Sequence, residues 1–146
     1  MKFSIRQATP EDYPIVHALI REFAGFQKTP ERVTITIADM QGATDIFQCL
    51  VAVTDSAEII GFASYFFAWY SWSGKALYLD DLYIKEKYRR HKAGSLLLEQ
   101  IIALAKKEHC KKVRWQVSNW NKSAISFYHK LGAVTDDTEI NCDLKL

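Results

Sequence analysis

The sequence predicts an α/β fold, or α+β in a looser classification, with about four helices flanking a mixed, mostly antiparallel central sheet. Three observations support this prediction. Short apolar or alternating segments indicate strands, segments with apolar residues three and four apart indicate amphipathic helices, and short polar turns between the central strands are typical of hairpins. A chain of 146 residues is most simply one domain, here residues 1–146.

The N-terminal part is predicted to form one strand and two helices. Residues 2–8 contain alternating apolar positions and favour a first strand. Thr9 is a suitable helix cap, and Pro10 suits the first helical turn. The apolar face of this helix consists of Ile15, Val16, Leu19, Ile20 and Phe23. A short second helix is predicted over residues 34–40.

Three strands joined by two turns are predicted in the middle of the chain. Residues 47–53 are rich in apolar side chains and indicate a strand, and residues 55–58 indicate a hairpin turn. A longer strand follows over residues 59–70. After a second turn at residues 71–75, residues 76–84 indicate the next strand. Short hairpin connections imply that neighbouring strands run antiparallel.

The C-terminal part is predicted to alternate between helices and strands. Residues 93–109 have the clearest helical periodicity, with a stripe formed by Ala93, Leu96, Leu97, Ile101, Leu104 and Ala105. Residues 113–117 indicate a short strand. Either Asn119 or Asn121 caps a following helix, and residues 139–146 alternate as a final strand.

Composition and charge limit the expected partners. The net charge of +2 and the charged fraction of 25% are ordinary for a globular domain, so we expect no nucleic-acid partner. No apolar run approaches the roughly 20 residues that span a bilayer, so we expect no membrane partner. Basic clusters occur at residues 89–92 and 111–114, and a solvated surface is the simpler explanation for the second.

Cysteine and histidine positions indicate free thiols and no metal. The three cysteines, Cys49, Cys110 and Cys142, are odd in number and have no metal-site spacing. The first residues do not resemble a signal peptide, so we expect a cytoplasmic protein with reduced thiols. No ligand spacing relates the four histidines, which are His17, His91, His109 and His129.

Two segments carry most of the functional signal. Residues 78–84 predict a strand that delivers the chain to the basic start of a helix within residues 88–95. Backbone N–H groups and the positive end of a helix dipole favour phosphate at such a position. Residues 120–133 place one phenol, Tyr128, on a short capped helix that ends before Gly132. Together, the two segments indicate a phosphorylated cofactor beside a proton donor.

At these residues the chain resembles the Gcn5-related N-acetyltransferase (GNAT) superfamily, and within it most closely the spermidine/spermine and thialysine (diamine) acetyltransferase branch. Residues 5–9, 60–66 and 69–75 add to the resemblance, which extends over nearly the full length. Each fragment is weak singly, but their order and spacing together are specific. The resemblance implies a GNAT-like fold and the transfer of an acetyl group from acetyl-CoA to a primary amine.

The resemblance also assigns residues to acetyl-CoA. Two splayed strands, roughly 79–84 and 113–118, would hold the pantetheine arm, and the loop that starts at Arg89 would hold the pyrophosphate. The implied cofactor-binding residues are Leu82, Tyr83, Ile84, Arg89, Arg90, His91, Lys92, Ala93, Gly94, Ser95, Asn121 and Tyr128. Asn121 has helix capping as its alternative role. Lys92 stands where the family loop usually has glycine, although backbone amides remain available to phosphate whatever the side chain.

Two catalytic residues follow from the resemblance. Asp80 matches the acidic position, commonly glutamate in the family, that binds and deprotonates the amine. Tyr128 matches the tyrosine that protonates the departing thiolate. A solvated carboxylate and a core tyrosine are the structural alternatives. The neighbouring Asp81 is expected to point to the opposite face of the sheet because side chains alternate along a strand.

The acceptor side is implied by the first helices and an aromatic loop. The substrate-binding residues are Asp80, Glu22, Phe26, Gln27 and Trp72. Gln27 and Lys28 dilute the acidic charge that polyamine-specific members carry in this segment, which favours a small diamine or a lysine-like amino acid over a long polycation. The branch is typically homodimeric, so a homodimer is expected.

Other functions remain open from the sequence. The acceptor is alternatively a protein amine or a xenobiotic amine. A non-catalytic CoA-binding module is a further alternative, because Lys92 replaces the usual glycine. Nucleic-acid binding through the basic clusters is the weakest alternative, since the net charge is low and no nucleic-acid motif is present.

Overall fold

The computed structural model describes residues 1–146, and its central feature is a five-stranded sheet. The strands follow chain order across the sheet, with β1 to β4 antiparallel and β5 parallel to β4. Their bounds are β1 Phe3–Gln7, β2 Gln48–Thr54, β3 Ile59–Tyr70, β4 Gly74–Ile84 and β5 Lys112–Arg114. The predicted mixed, mostly antiparallel sheet is confirmed, although β5 ends earlier than the predicted residue 117.

Four α-helices accompany the sheet, as predicted. Their bounds are α1 Tyr13–Phe26, α2 Ile37–Gln41, α3 Ala93–Lys107 and α4 Lys122–Lys130. Two helices begin later than expected, since residues 10–12 form a 3₁₀ turn before α1 and Thr36 caps α2. The Asp39 N–H donates to Thr36 Oγ1 at 3.1 Å, which fixes that start. None of the helices is long and apolar enough to cross a membrane.

Two apolar cores lie on opposite faces of the sheet. One packs beneath α3 and includes Leu77 and Ile101. The other packs beneath α1 and α2 and includes Val16. Phe62 and Ala63, neighbours on β3, belong to different cores, as the alternation of side chains along a strand requires. Because both faces are covered along much of the sheet, ligands are expected mainly at strand edges and strand ends.

The chain divides into two compact units, residues 1–115 and residues 116–146. The first unit holds the sheet with α1 to α3, and the second holds α4. The predicted final strand at residues 139–146 is wrong, because this segment has no regular secondary structure. Its alternating Ile140 and Leu144 are exposed. Alternation stabilises a strand only where neighbouring strands supply hydrogen bonds and a surface to pack against.

An ion pair fixes the start of α1 to β1. Both Nη atoms of Arg6 donate to the Asp12 carboxylate, at 2.6 and 3.0 Å, and the Thr9 N–H donates to it at 2.8 Å. The hydrogen bond from Arg6 is the main reason that the pKa of Asp12 is about 2 instead of 3.8. Because the folded pKa is the lower one, the carboxylate stabilises the fold above pH 3.8, and this contribution is lost as the pH falls towards 2.

We expect Asp12→Asn to lower the free energy of unfolding at pH 7 by about 1–2 kcal/mol. The pKa shift sets the upper limit, and the half-exposed Arg6 side chain reduces it through solvent screening. Urea unfolding at neutral and acidic pH measures the effect, and the difference from wild type should narrow below about pH 4. Asp55→Asn on the exposed β2–β3 turn is the control. A difference that is independent of pH would contradict this account of Asp12.

Candidate active site

β4 loses its strand partner on one side about halfway along its length. Its pairing with β5 begins where Ala76 faces Lys112 and ends where Tyr78 faces Arg114. Residues 79–84 continue β4 to its end, and those of them that pair with another strand pair only with β3. Along the β5 side, their backbone N–H and C=O groups have no strand partner in the sheet. An extended ligand with amide groups can pair with such an edge.

A β-bulge interrupts β4 at the predicted catalytic aspartate. Ser64 on β3 pairs with Asp81, and the next residue, Tyr65, pairs with Leu79. Asp80 is therefore an extra residue without a partner on β3. Bulges of this kind redirect side chains and often lie beside active sites.

The bulge reverses the phase of β4. Leu77 and Leu79 belong to the core beneath α3, and beyond the bulge Leu82 and Ile84 face the same core. The two residues between these pairs, Asp80 and Asp81, therefore both lie on the α1 side of the sheet.

The expectation that Asp81 points away from Asp80 is thus wrong, because the extra residue breaks simple alternation. A signal for the bulge exists in the sequence itself. The apolar positions Leu77, Leu79, Leu82 and Ile84 are spaced by two, three and two residues, and the interval of three marks the insertion.

The two adjacent carboxylates have different environments. Asp80 is exposed, whereas Asp81 is half-buried and its N–H donates to Ser64 Oγ at 3.2 Å. Partial burial raises the pKa of Asp80. Burial, and then the negative charge of Asp80, raises the pKa of Asp81 to about 6. At neutral pH this part of β4 therefore presents paired negative charge, which attracts an ammonium group.

Helix α3 presents N–H groups at its start that have no partner within the helix. Its first intrahelical hydrogen bond runs from the Leu96 N–H to the Lys92 carbonyl, at 3.0 Å. No side chain caps this end of the helix. The N–H groups of Ala93, Gly94 and Ser95 are therefore available to an anion, and the helix dipole favours negative charge there.

The loop before α3 has an uncommon backbone conformation. Arg90 and Lys92 have φ angles of +67° and +68°, in the left-handed region that favours glycine. These two residues and His91 between them are exposed. Three basic side chains therefore stand at the start of α3, and the departure from glycine at Lys92 falls on a strained backbone position.

Arg89 contacts residues predicted to bind the cofactor, Tyr83 and Ile84, and also Phe26, which is predicted to bind the acceptor. Its Nε donates to the Ile84 carbonyl at 2.9 Å. Its guanidinium carbon lies 4.8 Å from the centroid of the Phe26 ring and 5.4 Å from that of the Tyr83 ring. Sequence reasoning assigned Arg89 to phosphate alone, because a contact with a residue of α1 leaves no local sequence signal.

Glu22 belongs to the same cluster. The pKa of the Tyr83 phenol is raised first by burial and then by the charge of Glu22, which Arg89 opposes. Glu22 also lines a cleft of about 440 Å³ together with Lys85 and several residues of α1. Gln27, the remaining predicted acceptor residue near α1, is the exposed C-cap of that helix.

Trp72, a predicted acceptor residue, does not lie near Asp80 and Asp81 in the first unit. It lies at the β3–β4 turn and is fully exposed. β4 runs from Gly74 at the turn to Asp80 over about 20 Å, at about 3.3 Å per residue. The indole therefore stands at the far end of the strand from the carboxylate pair.

Asn121 and Tyr128 belong to the second unit. Asn121 Oδ1 accepts a hydrogen bond from the Ala124 N–H at 3.2 Å, so Asn121 rather than Asn119 caps α4. Gly132 follows the helix with φ +94°, the left-handed residue expected there.

The Tyr128 side chain is half-buried in α4, with its ring centroid 5.7 Å from that of Phe127. Burial raises the pKa of the Tyr128 phenol. The group is therefore protonated at neutral pH, as a proton donor must be.

Comparisons with known proteins identify relatives of this chain. A sequence profile described as the Acetyltransferase (GNAT) family matches residues 11–133. The thialysine N-epsilon-acetyltransferase of Bos taurus is 34% identical over 140 residues, which cover 88% of this chain and 82% of that protein. The spermidine/spermine N(1)-acetyltransferase-like protein 1 of Homo sapiens is 31% identical over 147 residues, or 94% of this chain and 21% of that protein.

A solved structure supports the fold. An aminoglycoside acetyltransferase from an uncultured soil metagenomic sample has a TM-score of 0.80, with 99% of this chain and 96% of that chain covered at 17% identity. The sequence matches define the class of the protein, which is an N-acetyltransferase. More particularly, the chain belongs to the acetyltransferase (GNAT) family.

The residues of the first unit fit acetyl-CoA, the acetyl donor that this family generally uses. The uncapped N–H groups at the start of α3 are donors of the kind that a pyrophosphate requires. The exposed side chains of Arg90 and Lys92 add positive charge beside them. The unpaired edge of β4 at residues 79–84 offers backbone partners to the amides of a pantetheine arm.

We expect Lys92→Gly to raise the free energy of unfolding by about 0.5–1 kcal/mol. Glycine relieves the strain of the left-handed backbone, while its greater freedom in the unfolded chain offsets part of this gain. The affinity for CoA should change by less than about threefold, because backbone N–H groups hold the pyrophosphate. Chemical denaturation and calorimetric titration with CoA measure the two effects.

Lys106→Gly provides the matched control for Lys92→Gly. Lys106 lies in the last turn of α3, where the same change should lower the free energy of unfolding by about 0.5–1 kcal/mol. If both variants lose stability to the same extent, the positive φ angle of Lys92 does not strain the folded protein. A large loss of CoA affinity in Lys92→Gly would instead show that the ammonium group contacts phosphate.

Proposed function

We propose that this protein transfers an acetyl group from acetyl-CoA to a primary amine of a lysine-like amino acid or a small diamine. The observation that carries the proposal is the placement of Asp80 and Asp81 on one face of β4, where the strand also lacks its β5 partner. Paired negative charge attracts an ammonium group. An acyl donor that pairs with the free edge of β4 at residues 79–84 lies beside these two carboxylates.

Acetyl-CoA binding is proposed for two regions of the first unit. Leu82, Tyr83 and Ile84 pair through their backbone with the pantetheine arm. The loop and helix start at residues 89–95 hold the pyrophosphate. Asn121 and Tyr128 are proposed to contribute from the second unit, on the strength of their match to the family motif.

Bound acetyl-CoA supplies an activated acetyl group, so the protein must deliver a neutral amine and a proton for the leaving sulfur. An alkylammonium has a pKa of about 10.4, so few such groups are neutral at pH 7. The carboxylate pair of Asp80 and Asp81 attracts the ammonium, and one of the two carboxylates accepts its proton. Tyr128 donates its phenolic proton to the departing thiolate, and its raised pKa keeps that proton in place until it is needed.

The acceptor class is supported by the relatives and by charge. A thialysine N-epsilon-acetyltransferase is among the relatives with high coverage of both chains. Glu22 is an exposed acid near Phe26 that suits a second cationic group or an α-amino group. Gln27 and Lys28 follow α1 where a polycation would need acids, so a short acceptor is favoured over spermine.

Release of CoA across a panel of amines tests the proposal. The panel contains thialysine, lysine, putrescine, spermidine, spermine and a peptide with a free N-terminus. We expect the largest kcat/KM for thialysine, lysine or putrescine, and amine-free hydrolysis is subtracted as background. A preference for spermine or the peptide would contradict the acceptor class. No release with any amine, despite measurable acetyl-CoA binding, would favour a non-catalytic CoA-binding module.

We also propose that the protein is a cytoplasmic homodimer. All three cysteines are free thiols, which suits a reducing compartment. Residues 66–70 of β3 pair with β4 but not with β2, and Phe66, Phe67 and Trp69 on this segment are exposed. Exposed aromatic side chains on an open strand edge suit an interface with a second copy. Light scattering during size-exclusion chromatography measures the oligomeric state, and a monomer at micromolar concentration would contradict the proposal.

A further inference from the structure

The carboxylate pair on β4 has one member that the family motif does not assign. Asp80 occupies the motif position, and Asp81 enters the same face of the sheet only because the bulge inserts a residue. With regular alternation, one of the two carboxylates would face the core beneath α3. The bulge therefore brings a second acid to the position where the acceptor amine is expected.

Asp81 is held more firmly than Asp80. It pairs with Ser64 in the register of β3 and β4, and its N–H donates to the buried Ser64 hydroxyl. Asp80 has no such register partner and is exposed. A half-buried carboxylate on a fixed backbone is suited to directed proton transfer, and an exposed one beside it is suited to capturing a cation from solvent.

Other ionisable groups on this side of the sheet do not neutralise the pair. Tyr78 and Tyr83 flank it on β4, and the charge of Asp80 contributes to the raised pKa of Tyr78. Glu22 on α1 and Arg89 after β4 both act on Tyr83. For Asp81, the charged neighbour that matters is Asp80.

We propose that Asp81 is the general base of the acetyl transfer and that Asp80 is the anchor of the acceptor ammonium group. This division of roles rests on the proposed function. The ammonium group gives one proton to the Asp81 carboxylate and becomes a neutral amine. Its lone pair forms the C–N bond at the thioester carbonyl, and the C–S bond breaks. The second nitrogen proton passes to solvent as the amide forms. Tyr128 gives its phenolic proton to the departing thiolate and takes one back from solvent, and Asp81 returns its proton to solvent.

The acid–base properties of the pair support these roles. A pKa of about 6 places Asp81 roughly two units above an ordinary aspartate. It is therefore about 100-fold more favourable as a proton acceptor from the same ammonium group, yet still ionised at pH 7. The ammonium held by Asp80 remains close to this base, and Asp80 itself is free to keep its charge.

Activity against pH separates the two aspartates. With thialysine as acceptor, Asp81→Asn should lower kcat/KM at pH 7 by about 100-fold or more. This deficit should shrink towards pH 10, where solvent supplies the neutral amine. Asp80→Asn should mainly raise KM for thialysine, by about tenfold. Asp81→Glu should restore part of the activity, and Asp55→Asn on the exposed β2–β3 turn should behave as wild type.

A titration without acetyl-CoA or amine gives an independent readout. The ¹³C shift of the Asp81 carboxyl carbon should titrate with a pKa near 6 in the wild type. In Asp80→Asn this pKa should fall, because the neighbouring negative charge is gone. Thermal unfolding of every variant establishes that the fold is retained.

Three results would overturn the proposal. Asp81→Asn with activity within about threefold of wild type, or with a loss that is the same at every pH, would remove Asp81 as the base. An Asp81 pKa that is unchanged in Asp80→Asn would show that the carboxylates do not act as a pair. A wild-type protein that acetylates no amine of the panel would overturn the proposed function, and this inference with it.

Discussion

Tyr128→Phe is expected to lower kcat at least tenfold, which corresponds to about 1.4 kcal/mol of activation free energy. The change removes only the hydroxyl proton that we assign to the leaving thiolate. A phenol has an ordinary pKa of about 10 and a thiol one of about 8.5, so proton transfer from the phenol to the thiolate is slightly unfavourable in free energy. Direct contact between the two groups overcomes this small difference. Burial raises the pKa of Tyr128 further. Steady-state kinetics with saturating acetyl-CoA and amine measure the effect.

The control for Tyr128→Phe is Tyr70→Phe. Tyr70 lies under the cationic ends of Lys112 and Arg114 at the end of β3, and a phenylalanine ring keeps these contacts. This variant should retain wild-type kcat. An unaltered kcat in Tyr128→Phe, at the same thermal stability, would assign thiolate protonation to another group or to water.

Gly61→Ala is expected to lower the free energy of unfolding by about 2–3 kcal/mol. A Cβ atom at Gly61 would collide with the end of the Ile84 side chain and would stand 2.7 Å from the Tyr83 carbonyl oxygen. The Ile84 side chain can rotate, but the carbonyl belongs to the backbone of β4. Relief of the clash therefore requires β4 to move at Tyr83 and Ile84, the residues proposed to pair with the pantetheine arm.

Urea unfolding and CoA titration together measure the effect of Gly61→Ala. The affinity for CoA should fall along with stability, because the same displacement of β4 causes both losses. Gly25→Ala is the matched control, since a Cβ atom there meets nothing within 4 Å. Gly25 lies in the last turn of α1 without a positive φ, so this variant should keep or gain stability, by up to about 1 kcal/mol. A Gly61→Ala protein of wild-type stability would contradict the close approach of β3 and β4.

The strands were predictable where apolar runs were long and their ends were marked by turns. The strand over residues 59–70 is confirmed with the same bounds, because twelve mostly apolar and aromatic residues are bounded by polar turns on both sides. The start of α3 at Ala93 is confirmed for a similar reason, since its apolar stripe begins there. The alternating segment at residues 139–146 had the pattern of a strand without a partner to pair with.

The remaining features of the site depend on geometry that residue types do not encode. Arg90 and Lys92 adopt left-handed backbone angles although neither is glycine, so the usual signal for that conformation is missing. The contact of Arg89 with Phe26 joins segments far apart in the chain. Asp80 could be singled out from the motif, whereas the position of Asp81 depended on recognising a bulge.

The bulge in β4 keeps the acidic residues apart from the residues that pack the core, so the activity can be lost without loss of the fold. Replacing Asp80 or Asp81 with a neutral residue leaves Leu82 and Ile84 facing their core. Deleting either aspartate would remove the bulge and restore regular alternation, which also leaves Leu77, Leu79, Leu82 and Ile84 on one face. The apolar pattern of the strand therefore does not require the acidic pair. A lineage that has abandoned catalysis should keep these four apolar positions and lose the acidity between them.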